Sequence, residues 1–160
     1  MSITTSRPIN RRQTLAMAAS GLAFTLAPIR ASAGGTLKVW KDPNCGCCTG
    51  WVDHLRKSGF AVEVVETATL QDVKRAKGVP AALASCHTAD LDGYVIEGHV
   101  PAHALARLLS ERPTISGLAV PGMPVGSPGM EGGAPETYEV IAFEGATTRV
   151  FGRYRLSQPV

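Results

Sequence analysis

Leu37-Lys38-Val39-Trp40-Lys41-Asp42-Pro43-Asn44-Cys45-Gly46-Cys47-Cys48-Thr49-Gly50-Trp51 holds three of the chain's four cysteines within four consecutive positions, directly after an apolar run. Residues 36–40 read as a strand, with Leu37, Val39 and Trp40 as its apolar content. Asp42-Pro43-Asn44 is turn chemistry, and Asn44 is placed to cap a helix. That helix is predicted over residues 46–57, where Trp51, Val52 and Leu55 fall at helical spacing and Ser58-Gly59 provides the stop. A strand feeding a cysteine-dense turn that opens a helix favours thiolates, because unpaired N–H groups and the positive end of the helix dipole stabilise negative sulfur.

Upstream, Arg11-Arg12 begins a basic segment, an apolar stretch runs from Leu15 to about Pro28, and Ala31-Ser32-Ala33 is a small-residue cleavage pattern. The apolar run is too short for the ~20 residues that a membrane-spanning helix needs. Residues 1–33 are therefore expected to be a cleaved export signal, of twin-arginine type given the paired arginines, and residues 34–160 the mature domain. Export to the periplasm without stable membrane insertion follows from that expectation. Arg7, Arg11, Arg12 and Arg30 account for four of the 16 basic residues, which leaves 12 basic against 13 acidic residues in the mature part. The basicity thus belongs to the signal, and nucleic-acid binding loses its electrostatic motive. The remaining length suits one ordinary domain.

Downstream, residues 60–66 are expected to form a second strand and residues 70–77 a short polar helix. Gly78-Val79-Pro80 precedes an expected third strand over residues 81–87, which carries Cys86. Asp90-Leu91-Asp92-Gly93 reads as a turn into a fourth strand over residues 94–98. Pro101 opens a helix whose apolar face is Ala104, Leu105, Leu108 and Leu109, and Arg112-Pro113 ends it. Residues 117–135 carry too much glycine and proline for a helix or a central strand, and loops of that length are usually functional or disordered. Residues 138–143 and 148–154 look like a closing strand pair around Glu144-Gly145. The order strand, helix, strand, helix, strand, strand, helix resembles a thioredoxin-like domain, here with a long Gly/Pro-rich loop and a C-terminal strand pair. The resemblance implies a cis Pro80 packed against the cysteine turn.

Three chemistries compete for the thiols. Two structural disulfides are open to four cysteines in an exported chain, but clustered thiols close only short loops, where a crosslink has little entropic leverage. Disulfide exchange would use Cys45 as attacking and Cys48 as resolving thiol, leaving Cys47 and Cys86 as unwanted competitors. Soft-metal binding uses all four: thiolates with thioethers nearby favour Cu(I). Structural zinc usually takes two spaced ligand pairs around one ion, whereas the adjacent side chains of Cys47 and Cys48 diverge and suit a cluster with several copper ions. The chemistry therefore points to Cys45, Cys47, Cys48 and Cys86 as metal ligands.

Trp40-Lys41-Asp42-Pro43-Asn44-Cys45-Gly46-Cys47-Cys48, Val79-Pro80, Ser85-Cys86-His87-Thr88, Gly93-Tyr94-Val95-Ile96-Glu97-Gly98-His99-Val100-Pro101 and Gly117-Leu118-Ala119-Val120-Pro121-Gly122-Met123-Pro124 together resemble the CopG-type periplasmic copper-resistance proteins. The resemblance runs through the whole mature chain. It implies a thioredoxin-like fold, a copper site on the four cysteines, a role in copper tolerance with copper redox activity as an extension, and periplasmic copper-handling proteins as partners. Met123, Met130, His87 and His99 are candidate additional ligands. His87 follows Cys86 directly, so in a strand it would face the other way, and His99 is placed to brace the following helix. His54 and His103 are expected to be solvated, and Lys41, Asp42 and Asn44 to shape the turn.

Overall fold

The computed structural model describes residues 35–160; the expected export signal, 1–33, lies outside the described residues. An eight-stranded mixed sheet carries three helices. Its strands are β1 (Leu37–Lys41), β2 (Val62–Glu66), β3 (His87–Leu91), β4 (Tyr94–Gly98), β5 (Gly117–Val120), β6 (Thr137–Glu144), β7 (Thr147–Arg155) and β8 (Gln158–Pro159). The helices are α1 (Gly46–Lys57), α2 (Leu70–Ala76) and α3 (Ala102–Glu111). Across the sheet the order is β2-β1-β3-β4-β5-β6-β7-β8. β1 runs parallel to β2 and antiparallel to β3, β3 is antiparallel to β4, and β4 is parallel to β5. The β1-α1-β2 crossover puts the cysteine turn at the C-terminal end of the interior strand β1, next to the edge strand β2.

The strand period of two divides the apolar residues between the faces of the sheet. Leu37, Val39, Ala89, Ile96 and Leu118 share one core with Trp51, Val52 and Leu55 of α1 and Leu105 and Leu108 of α3. Val95, Ala119 and Phe143 gather on the other face with Leu83. Leu37, Leu55, Ile96, Leu105, Leu108 and Leu118 are fully buried, each contributing about 1.5–3 kcal/mol by leaving water. Among the described residues, no helix is long and apolar enough to cross a membrane.

Four expectations need correction. Residues 81–87 are not a strand: Ala81–Leu83 is a single 3-10 turn, and β3 begins at His87 and includes Asp90 and Leu91. Three alanines around one leucine have little β preference, whereas residues 87–91 can be buried between β1 and β4. The Val79–Pro80 bond is trans, since the described chain contains no cis peptide; Pro80 instead leads into the 3-10 turn with φ −61°. Gly117–Val120 is a buried central strand rather than part of the loop. Gly117 fits there because a side chain would meet the Phe143 ring. The helix cap is Cys45, not Asn44: Cys48 N–H points at Cys45 Sγ (3.3 Å), while Asn44 N–H donates to the Asp42 carboxylate (2.8 Å).

Candidate metal and redox centre

The cysteine turn is held from below. Lys41 ends β1 almost wholly buried, and its ammonium donates to the carbonyls of Asp42 (2.9 Å) and Pro43 (3.4 Å). Trp51, fully buried one helical turn beyond Cys47 and Cys48, donates its indole N–H to the Val100 carbonyl (2.8 Å) and so ties α1 to the β4-α3 connection. Cys45 and Cys48 are joined by a disulfide across the first turn of α1. Cys47 and Cys86 are free thiols, both half-buried.

The fold gathers all four sulfurs. Cys47 Sγ lies 3.5 Å from Cys45 Sγ and 3.9 Å from Cys86 Sγ. The ligand atoms of Cys45, Cys47, Cys48 and Cys86 all fall within 4.8 Å of one another. Those of Cys86, His87 and His99 form a second such group that shares Cys86. The two groups make one continuous patch of soft and borderline donors.

His99, a candidate additional ligand in the sequence, lies against Cys86. It is fully buried, with Nδ1 2.6 Å from the Pro128 carbonyl and Nε2 2.9 Å from Cys86 Sγ. A carbonyl only accepts, so Nδ1 carries the proton and Nε2 offers its lone pair to the Cys86 thiol. A ring oriented in this way through its far nitrogen is the usual arrangement of a metal-binding imidazole. Burial, with the neighbouring Cys47 adding to it, pushes the Cys86 thiol up to about 12. His87 does not face away from the site: it is fully buried, its Nδ1 is 3.5 Å from Cys86 Sγ, and its ring lies 4.2 Å from Trp51. Its Nε2 has no hydrogen-bond partner among the described residues.

The family model described as Protein of unknown function, DUF411, matches residues 83–130, from the Cys86 loop to Met130. A solved structure described as Copper resistance protein copG, Form 1, matches at 43% identity with a TM-score of 0.71, covering 76% of this chain and 98% of its own. Its Form 2 matches at 44% identity with a TM-score of 0.70, covering 74% of this chain and 97% of its own. The chain belongs to the CopG-type family. No curated protein matches it.

In this CopG-type chain the Gly/Pro-rich segment after β5 is a structured strap over the cysteine turn. Gly126 N–H donates to the Met130 carbonyl (2.9 Å) and Met130 N–H to the Ser127 carbonyl (2.8 Å), closing the strap on itself. Gly129 then sits against the first turn of α1, where its φ of +87° admits glycine readily. A Cβ there would stand against the Cys47 carbonyl and 2.7 Å from the Trp51 amide nitrogen. Gly50 faces it from α1 for the same reason, since a Cβ would be 3.0 Å from Gly129 Cα. Gly129→Ala should therefore cost about 2 kcal/mol in thermal or urea unfolding and loosen the Pro128 hold on His99. An alanine variant as stable as the parent would mean that the strap does not rest on α1. Met130 is half-buried in this strap, whereas Met123 is exposed on the approach to it with a left-handed φ of 50°.

A second buried assembly holds the Cys86 loop, and nothing in the sequence marked it. Glu97 of β4 is fully buried and receives the Lys74 ammonium (2.5 Å) and the Ser85 N–H (2.6 Å) on one carboxylate oxygen and the Thr88 hydroxyl (2.7 Å) on the other. Lys74 also donates to Thr88 (3.0 Å). Ser85 is thereby fixed next to Cys86. Gly98 follows Glu97 because a Cβ there would be 2.5 Å from the Val120 carbonyl and 2.6 Å from Ser85 Oγ. An alternating strand gives no sign that its glutamate points inward, so only the three-dimensional pairing with Lys74 reveals it.

His54 is not solvated as expected. It is half-buried, and its Nε2 accepts the Ala102 N–H (3.1 Å), capping α3, which has no side-chain cap of its own. His103 is exposed beside the Tyr154 hydroxyl (3.4 Å). Burial lowers His54, His87 and His99 below the ordinary 6.5; Glu131 partly opposes it at His54, and the Pro128 carbonyl does so at His99. For a basic group lowered in the folded state, the unfolded chain binds protons first as pH falls. The copper-free protein should accordingly lose stability as pH falls below about 6.5, and be flat in this respect above it. Urea unfolding at several pH values checks this, and stability that rises on acidification over that range would contradict it.

Proposed function

We propose that this chain is an exported copper-resistance protein that holds Cu(I) through Cys45, Cys47, Cys48 and Cys86, with His99 and His87 beside them, on a thioredoxin-like domain. The observation that carries the reading is the convergence of four sulfurs within 4.8 Å, three from the N-terminal turn of α1 and one from the loop before β3. Two sulfurs suffice for disulfide exchange, whereas thiolate-rich sites select soft monovalent copper. The copper-resistance description of the two solved structures supports the same cargo. The strand order β2-β1-β3-β4 and the cysteine turn after β1 support the thioredoxin-like assignment. Residues 1–33, read as a twin-arginine signal, support a periplasmic setting.

The Cys45–Cys48 disulfide must take up two electrons before all four thiolates can bind metal. Oxidation therefore closes the site, and reduction opens it to copper delivered by periplasmic copper-handling proteins. The test is Cu(I) loading of the reduced protein under anaerobic conditions in competition with a chromogenic chelator. At least one copper ion per chain that zinc does not displace is the expected result. Less copper than that, or displacement by zinc, sinks the reading.

A second reading has its own observation, the bonded Cys45–Cys48 pair at the start of α1. It is a thiol–disulfide oxidoreductase in which Cys45 attacks and Cys48 resolves. Turnover that survives Cys47→Ser and Cys86→Ser would favour it, and absence of turnover in the parent would rule it out.

A further inference from the structure

We propose that Cys47 and Cys86 form a second dithiol pair, oxidised by small-molecule disulfides independently of Cys45 and Cys48. Four cysteines allow three pairings, and the Cys45–Cys48 bond leaves one: Cys47 with Cys86. Their sulfurs are already 3.9 Å apart, against about 2 Å in a disulfide. The partners come from distant parts of the chain, α1 and the loop before β3, and the Lys74-Glu97-Ser85 assembly holds the second in place. Both are partly open to solvent, which an exchange partner needs.

The chemistry balances without a further reagent. Cys47 loses its proton to solvent and attacks one sulfur of the external disulfide, whose S–S bond breaks; the released thiolate takes up a proton from solvent, and a mixed disulfide is left on Cys47. Cys86 then gives up its proton to solvent and attacks Cys47 Sγ. The second external thiolate leaves and takes up that proton through solvent. Two protein thiols are oxidised, and one external disulfide is reduced to two thiols. The inference rests on the sulfur positions and stands apart from the copper reading.

The test uses copper-free protein carrying the Cys45–Cys48 disulfide, treated with oxidised glutathione, quenched in acid and alkylated. Intact mass should show both remaining thiols lost to alkylation with no retained glutathione. In parallel, the Cys45→Ser/Cys48→Ser variant should form one internal bond that links α1 to the segment before β3 in a peptide map. The Cys86→Ser variant should keep glutathione on Cys47 because no resolving thiol remains. Two alkylatable thiols, or glutathione retained on the parent, would overturn the proposal. So would a double variant, shown by circular dichroism to be folded, that yields only dimers between chains.

Discussion

Glu97→Ala should destabilise the protein by about 3–5 kcal/mol, the range found when one partner of a buried ion pair is removed. The side chains of Lys74 and Glu97 are 4% and 0% exposed, so water cannot replace the lost carboxylate. Three donors lose their acceptor together: the Lys74 ammonium, the Ser85 N–H and the Thr88 hydroxyl. Thr88 alone would remain to Lys74. The cost comes mostly from stranding that ammonium in the core, because a buried pair contributes little beyond its own desolvation. The combined Glu97→Leu and Lys74→Met variant should therefore recover much of the loss. Urea unfolding of the three proteins decides the matter. A single variant that costs under about 1 kcal/mol would show that the pair is solvated in practice.

Cys86→Ser should weaken Cu(I) binding by at least about a hundredfold while leaving the fold nearly intact. Residues that only orient a ligand change metal affinity by about 10–100-fold, so loss of a ligand should match or exceed that range. Serine keeps the shape but offers a hard oxygen where a soft sulfur is needed. Cys86 also belongs to both donor groups, with the other three cysteines and with the two histidines, so its loss severs one from the other. Because it is only half-buried, the substitution leaves no large cavity. Competition against a Cu(I) chelator measures the change. Unaltered affinity with unaltered stoichiometry would remove Cys86 from the site and leave the cysteine turn to bind copper alone.

What could be read before the fold was known followed local rules. The β1-turn-α1 unit was legible because a strand's apolar run, a turn and helical spacing of Trp51, Val52 and Leu55 all occur within a few residues. α2, β4, α3 and the closing strand pair declared themselves in the same way. The segment around Pro80 was misread because its alanines have weak local preference, and burial against β1 and β4 decides where β3 begins. Gly117–Val120 was misread because its glycine and the following Pro-Gly signal a loop, whereas contact with β4 and β6 on either side makes it a strand. His54 was missed as a cap because its acceptor role depends on a neighbour 48 residues away.

Sequence alone determined the donor inventory: three cysteines fixed in one turn, a fourth after Pro80, and histidines at 87 and 99. Covalent order sets which side chains exist and which lie within one turn of each other, and those are short-range properties. Only the tertiary structure decided that Cys45 caps α1 and bonds Cys48, that Cys86 sits between Cys47 and His99, and that Pro128 orients the imidazole. It also decided that Lys74 and Glu97 bury their charges together beside Ser85. Each of these depends on segments tens of residues apart meeting in one place, driven by burial of the apolar faces of α1, α3 and the sheet. Local preferences carry no information about where such meetings occur.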